Sequence, residues 1–433
     1  MTTSTASTLR LLVCVSLALL SCAAEDTPRQ REVTEKRLLQ MEFSLWIPSL
    51  FAVSPDSQRV AYGVRAEQKQ FIIVDGQAGK PYLALLGGML RFSPDSKRLA
   101  YGAQQDGKSF LVVDGKMRKP YDALGAGTLR FSPDSQRVAY AAVTDNRMRV
   151  VVDDTEQPFY TAIVAESLTF SPNGQRLAYG AAVDTQMLVV VDGKESARYD
   201  ALVADSLRFS PDSQHLAYGV RQGQQWAVVL DGQPGQFYDG IGAGSLLFSP
   251  NGQRLAYVAQ MGQQQLVVVD GQAGKPYKGL AAGSLTFSPD SQHVAYAATE
   301  DEKNTWFVVL DGQAGKPYAA WVTGPVFSPD SQRLAYAVAV EEAKQVVVVD
   351  GRESKPYTGI KVGMLAFSPD SRRLAYGVQI NTSWVVVLDG QAGKPYENLL
   401  SAGGGKIVFD APERFHYLAT RGQDIYVVQE RLR

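Results

Sequence analysis

Residues 283–321 read GSLTFSPDSQHVAYAATEDEKNTWFVVLDGQAGKPYAAW, and this stretch decides the fold because the chain repeats it with small changes from about residue 49 onward. The period is 39 or 40 residues, measured between the serines of successive Ser-Pro-Asp or Ser-Pro-Asn motifs: Ser54, Ser93, Ser132, Ser171, Ser210, Ser249, Ser288, Ser328 and Ser368. A tenth, degenerate copy begins at Lys406. A period of this length indicates one structural unit per copy, stacked on its neighbours.

Each copy predicts four antiparallel strands. The first is the short alternating run 284–287, and the Ser-Pro-Asp-Ser segment then turns, because proline fixes φ and the Ser and Asp side chains bond nearby backbone. The second strand covers 293–296 and the third covers the β-branched run 307–310. An Asp-Gly pair reverses the chain into a fourth strand at Lys-Pro-Tyr, where proline suits an outer edge. Four such strands in about 40 residues form one blade of an all-β propeller.

The phase of the repeat predicts how the ring closes. The last copy ends on its third strand, at residues 425–428, and lacks a fourth. The unassigned apolar stretch 38–46 precedes the first copy and is expected to supply that strand, which removes the exposed sheet edges. Ten blades exceed the usual four to eight, so two five-bladed rings are an alternative. No linker and no change of period follows the fifth copy near residue 245, which favours a single ring.

The N-terminus predicts export and lipid anchoring. Residues 11–20 form an apolar run that is too short for a bilayer, which needs about 20 residues, but that is typical of a signal-peptide core. The sequence Leu19-Leu20-Ser21-Cys22 then resembles the bacterial lipobox, whose cysteine is acylated. We therefore expect a signal peptide at 1–21, a lipidated Cys22 with a polar tether at 22–37, and the propeller at 38–433. An ordinary secretory signal with a chance cysteine is the alternative. In a Gram-negative cell, the absence of Asp after Cys22 implies the outer membrane.

Composition excludes several classes of partner and cofactor. The formal net charge is −1, and removal of residues 1–21, whose only charged side chain is Arg10, makes it −2. Nucleic-acid binders carry a basic excess, so no nucleic-acid partner is expected. Both cysteines, Cys14 and Cys22, precede the propeller, which therefore has no disulfide and no thiolate metal site. We expect no metal and no cofactor.

The repeat accounts for most residues that could carry chemistry. His215 and His293 occupy a slot that other copies fill with arginine, and the Asp of Ser-Pro-Asp alternates with Asn173 and Asn251. Asn forms turns as well as Asp does but is a poor general acid, so this slot serves the turn. His416 stands alone in the tenth copy, and the sequence assigns it no role. No catalytic residue is predicted.

Residues that vary between copies are the candidates for partner contact. Trp226, Trp306 and Trp384 begin the third strand in alternate copies, and each is followed four residues later by Leu instead of Val. Positions four apart share a strand face, so each pair either packs between blades or presents an exposed aromatic contact. On first strands, Arg91, Arg130 and Arg208 either line the channel and bind an anionic ligand or pair with nearby turn carboxylates.

The run FSPDSQRLAY at 327–336 resembles the WD40-like repeats of the PD40 type, found in TolB and in the propellers of prolyl-oligopeptidase-like proteins. The resemblance covers about residues 49–433 and implies a propeller architecture, but it leaves the activity open. The N-terminal α/β domain of TolB has no counterpart in the tether, and the G-x-S-x-G elbow of the peptidases is absent from this sequence.

These features favour a lipid-anchored, non-catalytic binding scaffold of the cell envelope that presents one propeller face to a protein or glycan. The alternative is a propeller enzyme, such as a glycan hydrolase or lyase, with its site over the central channel. An enzyme should carry acidic or histidine residues that are unique to one or two blades and lie near the first strands. None stands out in the sequence.

Overall fold

The computed structural model describes residues 31–40, 45–300, 305–341, 344–401 and 404–432 of the 433. The secondary-structure elements in these ranges are strands, arranged as ten separate antiparallel sheets, one for each repeat. The predicted signal peptide and Cys22 lie outside the described residues. Within the described part of the chain, no helix is both long and apolar enough to cross a membrane.

The first strand of each blade lies at the channel, where the first strands of successive blades meet. In blades 1, 2, 8 and 9 this strand is continuous: Trp46–Val53, Ala84–Phe92, Ala320–Phe327 and Gly359–Phe367. In blades 3 to 7 and 10 a short loop divides it into two pieces: Ala123–Leu124 and Arg130–Phe131, Ala162–Ile163 and Thr169–Phe170, Ala201–Leu202 and Arg208–Phe209, Gly240–Ile241 and Leu247–Phe248, Gly279–Leu280 and Thr286–Phe287, Asn398–Leu399 and Val408–Ala411.

The second and third strands form the middle of each blade. The second strands are Val60–Ala66, Leu99–Gln105, Val138–Thr144, Leu177–Val183, Leu216–Gln222, Leu255–Met261, Val294–Thr299, Leu334–Glu341, Leu374–Ile380 and Arg414–Arg421. The third strands are Lys69–Val74, Lys108–Val113, Arg147–Val152, Gln186–Val191, Gln225–Leu230, Gln264–Val269, Trp306–Leu310, Lys344–Val349, Ser383–Leu388 and Asp424–Leu432. Their apolar side chains are buried on both faces because each blade packs between two others.

The fourth strands form the outer edge and begin directly after the Asp-Gly turn, earlier than the Lys-Pro-Tyr position that the sequence predicts. They are Gln77–Ala78, Lys116–Met117, Thr155–Tyr160, Lys194–Glu195, Gln233–Tyr238, Gln272–Ala273, Gln313–Ala314, Arg352–Glu353, Gln391–Ala392 and, in blade 10, Arg31–Gln40. In most blades the tyrosine adds only an isolated bridge, as between Trp306 and Tyr318. Positive φ at both Asp75 and Gly76 gives the tight turn that Asp-Gly favours.

The core consists of ten apolar clusters among the described residues, one at each junction between blades. The tyrosine of Pro-Tyr meets the Ala-Tyr tyrosine of the next blade edge to face, as Tyr277 meets Tyr296 with ring centroids 6.1 Å apart. This confirms that the repeated tyrosines serve packing between blades. Such pairs contribute about 0.5–1.5 kcal/mol beyond the area that they bury.

The ring is single and closed. Blade 5 packs on blade 6 through a cluster that contains Tyr238 and Phe248, so the chain does not divide after its fifth repeat. Blade 10 packs on blade 1 through a cluster that contains Leu39, Val60 and Leu418. Two five-bladed rings would instead require blade 5 to contact blade 1, and that alternative is therefore wrong.

An N-terminal strand closes the ring, as predicted, but it begins earlier than expected. Strand Arg31–Gln40 pairs with the third strand of blade 10 from Arg31 opposite Leu432 to Gln40 opposite Asp424. Residues 31–37, expected as tether, thus belong to the propeller, and Trp46 already starts blade 1. The reason is length: the partner strand runs to Leu432, beyond the expected end at residue 428, and its partner must extend equally far.

In six blades an arginine that follows the Ser-Pro-Asp-Ser or Ser-Pro-Asn-Gly turn contacts the next blade, and we call this arrangement the clamp. In blade 1, Arg59 Nε lies 2.8 Å from Asp75 Oδ2 of its own Asp-Gly turn, and Nη1 donates to Ser96 O of blade 2 at 2.9 Å. Its guanidinium lies 5.2 Å from the ring centroid of Phe92, also in blade 2. The clamp brings the Ser-Pro-Asp-Ser and Asp-Gly turns to the same face of the ring, which we call the turn face.

Candidate functional site

The repeated carboxylates serve the fold. Ser93 Oγ donates to Asp95 Oδ1 at 2.5 Å, and this hydrogen bond is the main cause that lowers the pKa of Asp95 below its ordinary value. The other Asp-Gly aspartates accept from arginine or histidine in the manner of Asp75. Among the described residues, no group of three or more His, Cys, Asp and Glu side chains is placed to hold a metal ion.

The channel loops depart from the repeat in blades 4 and 5. In blades 2, 3, 6, 7 and 9 the residue with positive φ in the middle of the first strand is glycine: Gly88, Gly127, Gly244, Gly283 and Gly363. Blades 4 and 5 place Glu166 and Asp205 in this slot, at φ 60° and 52°. An L-residue in this region costs roughly 1–2 kcal/mol. The sequence already carried the signal, since VAESL and VADSL replace GAGSL, but the acidic residues were missed as a channel feature.

Glu166 joins two of the three predicted arginines. Its Oε2 lies 2.5 Å from Arg130 Nη2 and 3.5 Å from Arg91 Nη2, so blades 2, 3 and 4 meet at one carboxylate. Arg130 Nη1 also donates to the carbonyls of Gly127 and Leu129, at 3.1 and 2.8 Å. A Cβ on Gly127 would collide with Glu166 Oε1, so glycine at that position admits the carboxylate. The partner is therefore a channel-loop carboxylate and not one of the turn carboxylates that the sequence suggests.

The group carries an excess of positive charge. Burial lowers the pKa of Arg91, the nearby Arg130 guanidinium lowers it further, and Glu166 opposes both effects. A cavity of about 430 Å³ adjoins the group and is lined by Phe51, Pro55, Leu90, Arg91 and Glu166, among others. Two guanidiniums share one carboxylate beside this open space. The arrangement leaves one positive charge to hold a carboxylate or phosphate group of a ligand.

The third predicted arginine stands apart from this group. Arg208 occupies the same first-strand slot in blade 5, and its Nη1 donates to Leu207 O at 3.0 Å. Within the described part of the chain, Arg208 forms no ion pair with Glu166. We call Arg91, Arg130 and Glu166 the channel triad, and Arg208 is outside it.

The three tryptophans do not form one surface, because a whole blade separates each from the next. Trp384 packs at the junction of blades 9 and 10, with Lys361 Nζ 4.6 Å from its ring centroid, and Leu388 is 3 % exposed. Leu230 and Leu310 are instead 38 and 36 % exposed. Trp226 lies under the Arg221 guanidinium, 5.6 Å from its ring centroid. The predicted Trp–Leu packing therefore describes blade 9 and does not extend to blades 5 and 7.

The closed ring and its period define the class: a β-propeller of ten blades built from a repeat of 39 or 40 residues. No protein-family model and no curated protein sequence matches the chain. In fold it is similar to a eukaryotic initiation factor structure (12 % identity, 80 % of this chain and 98 % of that one, TM-score 0.46). It is also similar to the Dos1 propeller (13 % identity, 79 % of this chain and 91 % of that one, TM-score 0.40). A further similar structure is TolB from Acinetobacter baumannii (19 % identity, 51 % of this chain and 63 % of that one, TM-score 0.29).

Proposed function

We propose that this protein is a lipid-anchored, non-catalytic binding scaffold of the cell envelope, at the outer membrane if the cell is Gram-negative. Its partner is a protein or glycan that offers an anionic group to the channel triad. The observation that carries the proposal is the shared Glu166 carboxylate, 2.5 and 3.5 Å from two guanidiniums that belong to different blades. Glu166 also departs from the repeat, because most of the corresponding positions carry glycine.

The anchor is proposed at Cys22 on the lipobox resemblance. Because the closing strand begins at Arg31, eight residues, 23–30, separate Cys22 from the ring. A fully extended chain of that length spans at most about 30 Å. The anchor therefore holds the propeller close to the membrane surface, where its partner would be an envelope component.

A glycan hydrolase or lyase needs a carboxyl group that is free to give or take a proton at the substrate. Glu166 is instead engaged by two guanidiniums of neighbouring blades. This argues for binding over catalysis. Incubation of the protein with envelope polysaccharides should release no new reducing ends, and measurable release would restore the enzymatic alternative.

The triad is tested by capture of the partner from solubilised envelopes with full-length protein. Wild type and the Arg208→Ala control should recover the same partner, whereas the double substitution Arg91→Ala and Arg130→Ala should lose it. Equal recovery by all three proteins would place the partner elsewhere on the ring. Labelling with a fatty-acid analogue tests the anchor, since Cys22→Ser should not label.

Glu166→Gly separates anion binding from structural pairing. Glycine suits the positive φ, so the fold should keep or gain about 1 kcal/mol of stability. Removal of the carboxylate leaves two guanidiniums beside the cavity, so inorganic phosphate should bind about tenfold tighter than to wild type, by isothermal titration calorimetry. If the substitution destabilises the protein and phosphate binding does not rise, the triad is only a structural ion pair.

A further inference from the structure

The junction between blades 7 and 8 lacks the arginine that clamps other junctions. Where the clamp forms, the guanidinium lies 5.1–5.4 Å from a phenylalanine ring centroid of the next blade, in these pairs: Arg59 and Phe92, Arg98 and Phe131, Arg137 and Phe170, Arg176 and Phe209, Arg254 and Phe287, Arg333 and Phe367. In blade 2, Arg98 Nη1 also donates to Ser135 O and Gln136 O of blade 3, both at 2.8 Å. A guanidinium at such a junction thus contacts one aromatic ring and two backbone carbonyls of the next blade.

In blade 7 the clamp position is His293. Its Nδ1 lies 2.6 Å from Asp311 Oδ2, which reproduces only the bond within the blade. The groups of blade 8 that correspond to the other two contacts are the Phe327 ring and the carbonyls of Ser331 and Gln332. In the described residues, His293 forms no hydrogen bond to any of them.

A cavity of about 520 Å³ lies at this junction, in the size range of ligand pockets. His293, Phe327, Ser331 and Gln332 line it on the side of the turns. Leu310, Tyr318 and Tyr336 belong to the rest of its wall. We call this cavity the blade 7–8 groove. Its walls combine carbonyl and aromatic surface with an apolar floor, which suits a cation on a flexible apolar stem.

Two of the side chains that line the groove are cations, Arg333 and Lys316, and each has a carboxylate partner. Arg333 pairs with Asp350 at 3.0 Å and Lys316 with Glu353 at 2.6 Å, so these four groups neutralise one another. Asp311 faces an imidazole, which is charged only when protonated, in place of a permanent guanidinium. The junction therefore has one positive charge fewer than the clamped junctions.

The other histidine junction differs. His215 of blade 5 likewise holds only its own Asp231, at 2.7 Å. There, however, Gln253 of blade 6 reaches back across the junction, and its Nε2 donates to Asp212 Oδ2 at 3.2 Å. That junction has a side-chain bridge of its own, which makes it a matched control for the blade 7–8 groove.

We propose that the blade 7–8 groove binds an arginine side chain of a partner protein. The guanidinium stacks on Phe327 and donates to the carbonyls of Ser331 and Gln332, as the clamp arginine does in other blades. The aliphatic stem lies against Leu310 and Tyr318. A planar five-donor cation matches this set of groups, whereas an ammonium can neither stack nor donate in one plane. The site goes beyond the channel triad and does not depend on it.

The test uses the full chain and three tripeptide amides, Gly-Arg-Gly, Gly-Lys-Gly and Gly-citrulline-Gly, in isothermal titration calorimetry. Wild type should bind the arginine peptide at least tenfold tighter than the other two. In His293→Arg, the introduced guanidinium should occupy the groove in place of the peptide. This substitution should raise the melting temperature and weaken arginine-peptide binding at least tenfold. His215→Arg should bind as wild type does.

Phe327→Leu provides a second variant, because it removes the aromatic face and should weaken binding severalfold. The double substitution Arg91→Ala and Arg130→Ala should bind the arginine peptide like wild type, so failure of the triad and failure of the groove are distinguishable. Equal binding of the citrulline peptide, or undiminished binding to His293→Arg, would overturn the proposal.

Discussion

In blades 1 to 9 the fourth strand follows the third through a tight turn, whereas in blade 10 it comes from the opposite end of the chain. Six of the ordinary blades join the next blade through the partly exposed clamp. At the closing blade, Arg31 Nε lies 3.4 Å from Glu430 Oε2, with side chains that are 9 and 0 % exposed, and Tyr417 donates to Glu430 Oε1 at 2.7 Å. A strand that no turn holds in place is thus fixed by a buried charge pair.

The closing blade also replaces the clamp on its other side. His416, to which the sequence assigned no role, is 1 % exposed, and its ring lies between Asp410 Oδ2 at 3.0 Å and the Asp56 carbonyl of blade 1 at 2.6 Å. A buried imidazole thus connects blade 10 to blade 1 where other junctions use an arginine. Where a local turn already holds the fourth strand, a weak clamp is sufficient to join neighbouring blades. Closure between distant segments of the chain relies instead on buried polar groups.

The largest effect is expected from deletion of residues 31–40. Deletion exposes Ile425 and Val427, removes Leu39 from its cluster and leaves a bare strand edge. Burial of three such side chains contributes roughly 5 kcal/mol, so the melting temperature should fall sharply and aggregation should rise. Differential scanning fluorimetry and light scattering measure both. Deletion of residues 23–30 is the control and should change neither, and unchanged melting after deletion of 31–40 would contradict the closure.

A smaller loss is expected from Glu430→Ala. The substitution leaves Arg31 buried without its anion and removes the acceptor of the Tyr417 hydroxyl. Breaking a buried pair in this way costs about 3 kcal/mol. Urea denaturation gives the free energy of unfolding directly. A loss below about 1 kcal/mol would mean that the strand is held by its backbone pairing alone.

In an ordinary blade, Arg98→Ala should cost only about 1 kcal/mol, because its hydrogen bonds lie near solvent. Arg373→Ala is the matched control: within the described residues, Arg373 bonds Asp389 of its own blade and no carbonyl of blade 10. It should cost less than Arg98→Ala in the same urea titration. Equal losses would show that the bond between blades contributes nothing.

The smallest effects are two pH dependences of opposite sign in the closing blade. Burial raises the pKa of Glu430, against the opposing influence of Arg31 and Tyr417. The stability that this group contributes is therefore complete below its unfolded pKa of about 4.5 and falls as pH rises through the folded pKa. Wild type should accordingly lose melting temperature relative to Glu430→Gln above pH 4.5.

Glu35 behaves in the opposite way. Burial raises its pKa, but the hydrogen bond from Tyr396 and the interactions with Lys394 and Arg421 outweigh burial and lower it overall. Its contribution is present above about pH 4.5 and is lost as pH falls through the folded pKa. Wild type should lose melting temperature relative to Glu35→Gln on the acid side. If the melting temperatures of a variant and wild type change with pH in parallel, the substituted carboxylate does not contribute to the pH dependence of stability.

The repeat made most of the fold predictable, because each copy contains its own turns and strands. A strand or turn assigned in one copy can therefore be checked against the other copies. The closing strand was misplaced by seven residues at its start because five of the ten residues of REVTEKRLLQ are charged, and such a composition on an outer edge strand resembles that of a solvated tether. Its partner lies at the other end of the chain, and no local signal sets that register.

The channel triad was predicted in part. Arg91 and Arg130 were named as channel residues, but their partner was not, because Glu166 reaches Arg91 from two blades away along the ring. Glu166 and Arg91 come together only because the blades are arranged in a ring, and the sequence of a single repeat does not show that arrangement. Glu166 could have been found as a departure from glycine at a slot that needs positive φ, in the way that Asp205 also departs.

Closure by residues 31–40 has a consequence for the order of assembly. The strand is among the first parts of the propeller to be synthesised, and its partner, which ends at Leu432, is the last. Blades 1 to 9 can each form as soon as their own residues are available, because their strand pairings are local. The first-made strand must wait unpaired until residues 424–432 have been synthesised. A chain that lacks residues 424–432 would therefore hold nearly the whole propeller and still expose both ends of the ring, so the ring cannot close before the third strand of blade 10 is made.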